Sequence, residues 1–309
     1  MMRYSLLLVV FLGTSMGLKA QQDAQYTQFM FNKLYFNPAY AGSKEALNVS
    51  AIYRKQWLGI KGSPQTATLN LHAPVFKNRI GLGLSVTNDQ LGFSNSWNIE
   101  TSYSYRIKFK NKHTLSMGLR GSASFYQVRW DKADPTQLMD GTIPGALATK
   151  ILPNFGAGVY YDAPRFYVGF SIPHIFENRI DFTDNKNSSI EPRLGRHYFL
   201  MGGAIFDIAR NVKLKPAAML KFTPNSPFDM DINISFLFWE RFWAGVTYRL
   251  GDSIDLILQY QFNSQFKLGI AYDFTLTKLQ QYNAGSFEVM LEVNFVKNKN
   301  MHLRNPRYF

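Results

Sequence analysis

Residues Asn95–Val128, NSWNIETSYSYRIKFKNKHTLSMGLRGSASFYQV, state a rule that most of the chain repeats. On the first arm Trp97, Ile99, Thr101, Tyr103, Tyr105, Ile107 and Phe109 alternate with Asn98, Glu100, Ser102, Ser104, Arg106 and Lys108. A period of two marks a strand with one apolar and one polar face. After a turn at Lys110–Lys112, Leu115, Met117, Leu119, Gly121, Ala123 and Phe125 alternate with Thr114, Ser116, Gly118, Arg120, Ser122 and Ser124. Soluble sandwiches alternate too, but their strands run to about 5 to 6 residues. These arms are roughly twice that, enough to cross a bilayer at a tilt. The apolar side would face lipid and the polar side a lumen, and because lipid offers backbone groups no partner, the sheet must close.

Working outward, the same pattern predicts fourteen strands. Before the two arms come 47–54, 65–73 and 80–87. After them come 154–161, 165–172, 196–206, 212–222, 228–239, 242–249, 254–262, 266–273 and 287–295. The expected fold is an all-β, antiparallel outer-membrane barrel over residues 46–296. Terse connections, such as Phe76-Lys77-Asn78 and Glu240-Arg241, alternate with a second set that includes 55–64, 130–153, 173–191 and 275–286. Short turns belong on the periplasmic side and long loops outside, so both termini are expected in the periplasm.

Composition agrees with a barrel. The 309 residues are 46% apolar and 16% aromatic with a formal charge of +13, yet mean hydropathy is only −0.18. Helical membrane proteins need runs of about 18 or more apolar residues. The one long apolar run is MMRYSLLLVVFLGTSMGLKA, residues 1–20, with Arg3 as its basic region; it reads as a cleaved secretory signal. Without cysteine there is neither a disulfide nor a lipidated N-terminal Cys. The basic excess suggests anionic outer-membrane lipids or an acidic protein partner; an exported barrel is not expected to meet nucleic acid.

Residues 21–45 lack clean alternation and are crowded with aromatics: Phe29, Phe31, Tyr35, Phe36 and Tyr40 among them. Too apolar to stay solvated, the segment either plugs the lumen or packs against the rim, and the sequence leaves both open. Aromatics where strands meet loops, Tyr53, Trp57, Trp97, Tyr160, Tyr161, Trp239, Trp243 and Tyr272, are expected to form the interfacial girdle. GLG at Gly81–Gly83 and GAG at Gly156–Gly158 lie inside strands without a following helix, so they read as sites of close strand packing, not nucleotide loops.

No catalytic constellation is visible. The five histidines, His72, His113, His174, His197 and His302, are scattered without metal-ligand spacing, so no enzyme, cofactor or metal is expected. Charges of both signs on the polar faces favour an internal ion-pair lattice over a selective pore.

Three blocks carry a family resemblance: QYTQFMFNKLYFNPAYAGS (25–43), YRKQWLGIKGSPQTATLNLHAP (53–74) and the closing RNPRYF (304–309). They resemble the PorP/SprF family of type IX secretion system outer-membrane proteins, although Lys33 stands where many relatives carry Pro. The resemblance implies a non-enzymatic barrel that helps export or anchor a partner surface protein, gliding adhesins included, through that partner's C-terminal domain. It also implies contacts with periplasmic ring lipoproteins and motor components. The residues expected to contact partners are Tyr26, Phe29, Phe31, Tyr35, Tyr40, Arg54, Gln56 and Trp57, together with Arg304, Arg307, Tyr308 and Phe309 of a periplasmic tail over 297–309. The rival reading is an outer-membrane porin or solute transporter.

Overall fold

The computed structural model describes residues 24–44, 46–129, 147–180, 194–224 and 226–295. The expected signal peptide and C-terminal tail lie outside them. The strands are β1 (Leu47–Lys55), β2 (Gln65–Val75), β3 (Ile80–Leu91), β4 (Ser94–Lys108), β5 (Thr114–Arg129), β6 (Leu147–Asp162), β7 (Phe166–Ile172) and β8 (Tyr198–Ala204). They continue as β9 (Phe206–Ala209), β10 (Val212–Phe222), β11 (Asp229–Phe238), β12 (Phe242–Arg249), β13 (Ser253–Gln261), β14 (Phe266–Thr275) and β15 (Ser286–Phe295). Both β8 and β9 pair with β10 and are one stave interrupted at Ile205, so the wall has fourteen staves. Each stave is antiparallel to its neighbours, and β15 pairs with β1 from Leu47↔Phe295 to Lys55↔Phe287, which closes the ring.

Alternation sorts the side chains as the sequence pattern requires. Along β13, Ser253, Asp255, Ile257, Gln259 and Gln261 are buried while Ile254, Leu256, Leu258 and Tyr260 are exposed. The outer wall is a continuous apolar band of residues such as Leu69, Leu82, Ile99, Tyr103, Leu119, Ile234, Ile270 and Leu291, a surface that needs lipid against it. No helix among the described residues is long and apolar enough to cross a membrane.

The largest departures from the expected boundaries are in β3 and β6. β3 runs on to Leu91, and β6 begins at Leu147 instead of residue 154, because Pro153 does not end the strand: it faces outward, opposite Ala123, as an interruption the ladder tolerates. The staves β4, β5 and β6, of 15, 16 and 16 residues, therefore form the longest sector of the wall.

Candidate functional site: the lumenal plug

Residues 24–44 fill the barrel. Of the two alternatives left open by the sequence, the structure selects the plug. The segment contains a single helical turn, Lys33–Phe36, and a short 3-10 turn, Pro38–Tyr40. Its turns pair some of the backbone internally, as Phe31 N to Gln28 O, Tyr40 N to Asn37 O and Ser43 N to Tyr40 O, and in a closed lumen the wall supplies partners for others.

The wall does so with opposite chemistry at the two ends of the plug. Near the start, carboxylates receive N–H groups: Thr27 N donates to Glu288 Oε2 at 2.8 Å and Gln28 N to Glu288 Oε1 at 3.0 Å. The Thr27 hydroxyl donates to Asp273 at 2.7 Å and accepts from Arg54 Nη1 at 2.6 Å. Arg54 in turn bridges Asp273 at 2.6 Å and Glu288 at 3.5 Å, and all three side chains are at most 3% exposed. Further along, wall donors receive plug carbonyls. Arg120 donates to the Leu34 and Tyr35 oxygens at 2.5 and 2.8 Å, Ser171 to Phe36 at 2.8 Å, Ser104 to Ala41 at 2.7 Å and Arg106 to Gly42 at 2.7 Å. Gly42 N donates to His72 Nδ1 at 3.1 Å, and Lys44 ends the run on Glu292 at 2.5 Å. Asn37 links three elements, donating to the Val159 and Phe170 carbonyls while accepting from Ala39 N.

Glycines record the fit. A Cβ on Gly81 would collide with the Ala41 carbonyl, one on Gly118 with the Ala39 backbone and one on Gly158 with the Asn37 side chain. The GLG and GAG stretches thus accommodate the plug as well as the expected close approach of neighbouring strands: Gly156 faces the Ile172 and Pro173 carbonyls, Gly81 the Ser104 side chain and Gly158 the Ser171 side chain. Lumen-facing glycines in an otherwise polar row were the sequence signal of close backbone approach.

The plug also makes part of the lumen apolar. Tyr26, Phe29, Met30, Leu34, Phe36 and Tyr40 pack with the wall's Ile52, Tyr160, Tyr167, Phe199, Met201, Met219, Ile257 and Met290 in one buried core. Lys33 Nζ sits 4.0 Å from the Tyr167 ring centroid, and Lys215 Nζ lies 4.6 Å from Phe31 and 5.0 Å from Trp243. Trp243 and Tyr160, at 2% and 1% exposure, are therefore core residues and not girdle residues, whereas Tyr53, Trp97 and Trp239 do lie on the outside. Alternation places a ring on a face but cannot say that a lumenal face will be apolar.

The structure redistributes the expected contact residues. Tyr26, Phe29, Phe31, Tyr35 and Tyr40 meet their own barrel, and Arg54 is consumed by Thr27, Asp273 and Glu288. Gln56 and Trp57 remain at the mouth formed by the longer connections. There they line a cavity of about 660 Å3 with Gln25, Tyr126, Leu194, Phe228, Leu250 and Asp252. Arg304, Arg307, Tyr308 and Phe309 lie outside the described residues. Sequence reading missed Asp273, Glu288, Arg120, Arg106, Ser104 and Ser171 as plug partners, since their lumenal neighbours are set by closure of the ring.

Ala24 and Gln25 also line that cavity, whereas Leu47 pairs with Phe295 at the opposite, short-turn mouth. The two ends of the described barrel chain thus leave by opposite mouths. The plug traverses the lumen before β1 begins, so the chain approaches its first strand from the far end; the termini themselves lie outside the described residues. Among the described residues no group of three His, Cys, Asp or Glu is placed to hold a metal ion. What the arrangement does physically is obstruct the lumen and present a vestibule above the obstruction.

A closed, even-staved antiparallel barrel with an apolar outer wall is an integral outer-membrane protein. In fold it is similar to the CymD monoaromatic hydrocarbon channel, at 12% identity and a TM-score of 0.50 over 90% of this chain and 95% of that one. Weaker likenesses are to the Acinetobacter baumannii outer membrane protein Omp33 (8% identity, TM-score 0.46, 82% and 100% covered) and to KdgM porin (11%, 0.41, 81% and 99%). No curated protein matches the chain. The family model for the type IX secretion system membrane protein PorP/SprF matches residues 18–293, and the chain belongs to that family.

Proposed function

We propose that this protein is a non-enzymatic scaffold of the type IX secretion machinery. On this reading it anchors or helps export a partner surface protein at the mouth with the longer connections, and it contacts periplasmic components from the short-turn end. Family membership supports the secretion role. The observation that carries the scaffold over the porin reading is the seated plug: hydrogen bonds from both halves of residues 24–44, and glycines that leave room for its backbone, oppose an open aqueous path. With long loops outside, the vestibule near Gln56 and Trp57 faces the exterior and the partner's C-terminal domain docks there.

Two measurements test this. Affinity purification of the tagged chain from detergent-solubilised outer membrane, followed by mass spectrometry, should recover a large surface protein or periplasmic lipoproteins in near-stoichiometric amounts; a solitary barrel with steady conductance in planar bilayers would establish the porin instead. Because the chain has no cysteine, single reporters read orientation cleanly. Gln25→Cys should react with a membrane-impermeant maleimide on intact cells and Ser264→Cys should not, and the reverse pattern would invert the assignment.

A further inference from the structure

The short-turn mouth carries a repeated motif that neither the plug nor the vestibule uses. Phe76-Lys77-Asn78-Arg79 joins β2 to β3, and Phe109-Lys110-Asn111-Lys112 joins β4 to β5. Because β3 and β4 pair along their length, the two turns are neighbours on the rim, and Arg106 N donates to Arg79 O at 2.7 Å between them. Lys77, Arg79, Lys110 and Lys112 are all exposed, and neither turn contains an acidic residue; Asp162 lies on the same rim, opposite Thr114.

The first turn is also strained. Phe76, Lys77 and Asn78 have φ of 46°, 56° and 62°, three consecutive residues in the left-handed region that a bulky L side chain seldom enters. In that conformation Phe76 is 77% exposed, and Phe109 on the neighbouring turn is 45% exposed. Immediately up the wall, Leu82, Tyr103, Tyr105 and Ile107 face outward, with Tyr105 opposite Ile80 and Tyr103 opposite Leu82. The cations thus stand at the lower border of the lipid-facing band, with aromatic rings between them and the acyl region.

We propose that these paired turns bind the headgroup of an anionic phospholipid in the leaflet at the short-turn end. Phosphate oxygens are the natural acceptors for a lysine and arginine cluster free of competing carboxylates in its own turns. Exposed rings beside a basic cluster at interface depth fit a ligand that has both a charged head and hydrocarbon chains. A soluble phosphate ester shares the first feature and lacks the second. A protein partner at this rim would have to be acidic where it meets the lysines.

The test uses the full chain in nanodiscs of phosphatidylethanolamine with and without cardiolipin, with bound lipid counted by native mass spectrometry. Cardiolipin should remain bound through a delipidation series that strips phosphatidylethanolamine. The variant K77Q/R79Q/K110Q/K112Q should weaken cardiolipin retention by roughly tenfold or more, since each cation near an anionic surface contributes appreciably. A control at the opposite mouth, K61Q/K278Q, should leave it unchanged. F76A/F109A, which keeps every charge, should weaken cardiolipin but not competition by glycerol phosphate. Heat-modifiable gel mobility checks that each variant remains a folded barrel. Equal retention by the quadruple variant, equal loss in the control, or full displacement by glycerol phosphate with no preference for the diacyl lipid would each overturn the proposal.

Discussion

The two halves of the plug are held in different ways. Residues 24–32 centre on one buried ionic cluster in which Glu288 accepts two backbone N–H groups while Arg54 and Asp273 clasp the Thr27 side chain, with side-chain bonds to Thr68, Asn70 and Gln259 around it. Residues 33–44 depend on many separate wall donors, Arg120, Ser171, Ser104 and Arg106, on Asn37 donating to the wall, and on wall glycines that leave no room to shift. The first half is a latch with few parts, and the second is a mould. The contrast accounts for part of the mixed charge of the lumen: Glu288 serves backbone N–H groups of the first stretch and Arg120 and Arg106 serve carbonyls of the second, while other charges pair within the wall, as Arg249 with Asp231 and Lys267 with Glu292.

The strongest way to break the mould is steric. Gly81→Val with Gly118→Val puts side-chain atoms where the backbone of Ala39 and Ala41 lies, so the second half must leave its seat. Planar-bilayer recordings should change from a closed baseline to steady conductance; an unchanged baseline in a folded double variant would mean the plug is not what closes the barrel. Next comes the latch. Arg54→Ala leaves Asp273 and Glu288 buried without their cation, a loss expected to cost about 3–5 kcal/mol of stability by analogy with other broken buried pairs. Denaturant unfolding in detergent should show it, and residues 24–32 should become sensitive to protease while residues 33–44 stay protected. Protection of both halves would show the latch to be redundant.

Smaller effects sharpen the comparison. Asn37→Ala removes bonds to two wall carbonyls and one internal cap and should cost about 1–3 kcal/mol in the same unfolding experiment, with conductance still closed because the glycine fit remains. Arg165→Gln touches neither half. Its contact with Asp207 is at the surface, with side chains 71% and 52% exposed, so the melting temperature should not move.

Strand identity, the outward apolar face and closure were legible from alternation alone, as in Trp97–Phe109 and Ile254–Phe262. So was the presence of mixed charges in the lumen. What alternation does not carry is sequence-distant pairing: nothing in the spacing of Thr27, Arg54, Asp273 and Glu288 shows that they meet across as many as 261 residues. Trp243 shows the same limit, since a ring at a strand end reads as girdle until Lys215 and Phe31 are seen beside it.

The sequence by itself determined that this chain is a transmembrane barrel, because a period of two with long staves leaves lipid no other arrangement that satisfies the backbone. It also marked residues 21–45 as too apolar to remain solvated. Only the tertiary structure decided that residues 24–44 run through the lumen, that Ala24 lies at the mouth opposite the start of β1, and that Glu288, Arg120, Arg106 and the wall glycines seat the segment. The physical reason is that plug and wall satisfy each other's hydrogen bonds and space only after the ring closes, and ring closure joins residues that no local pattern connects.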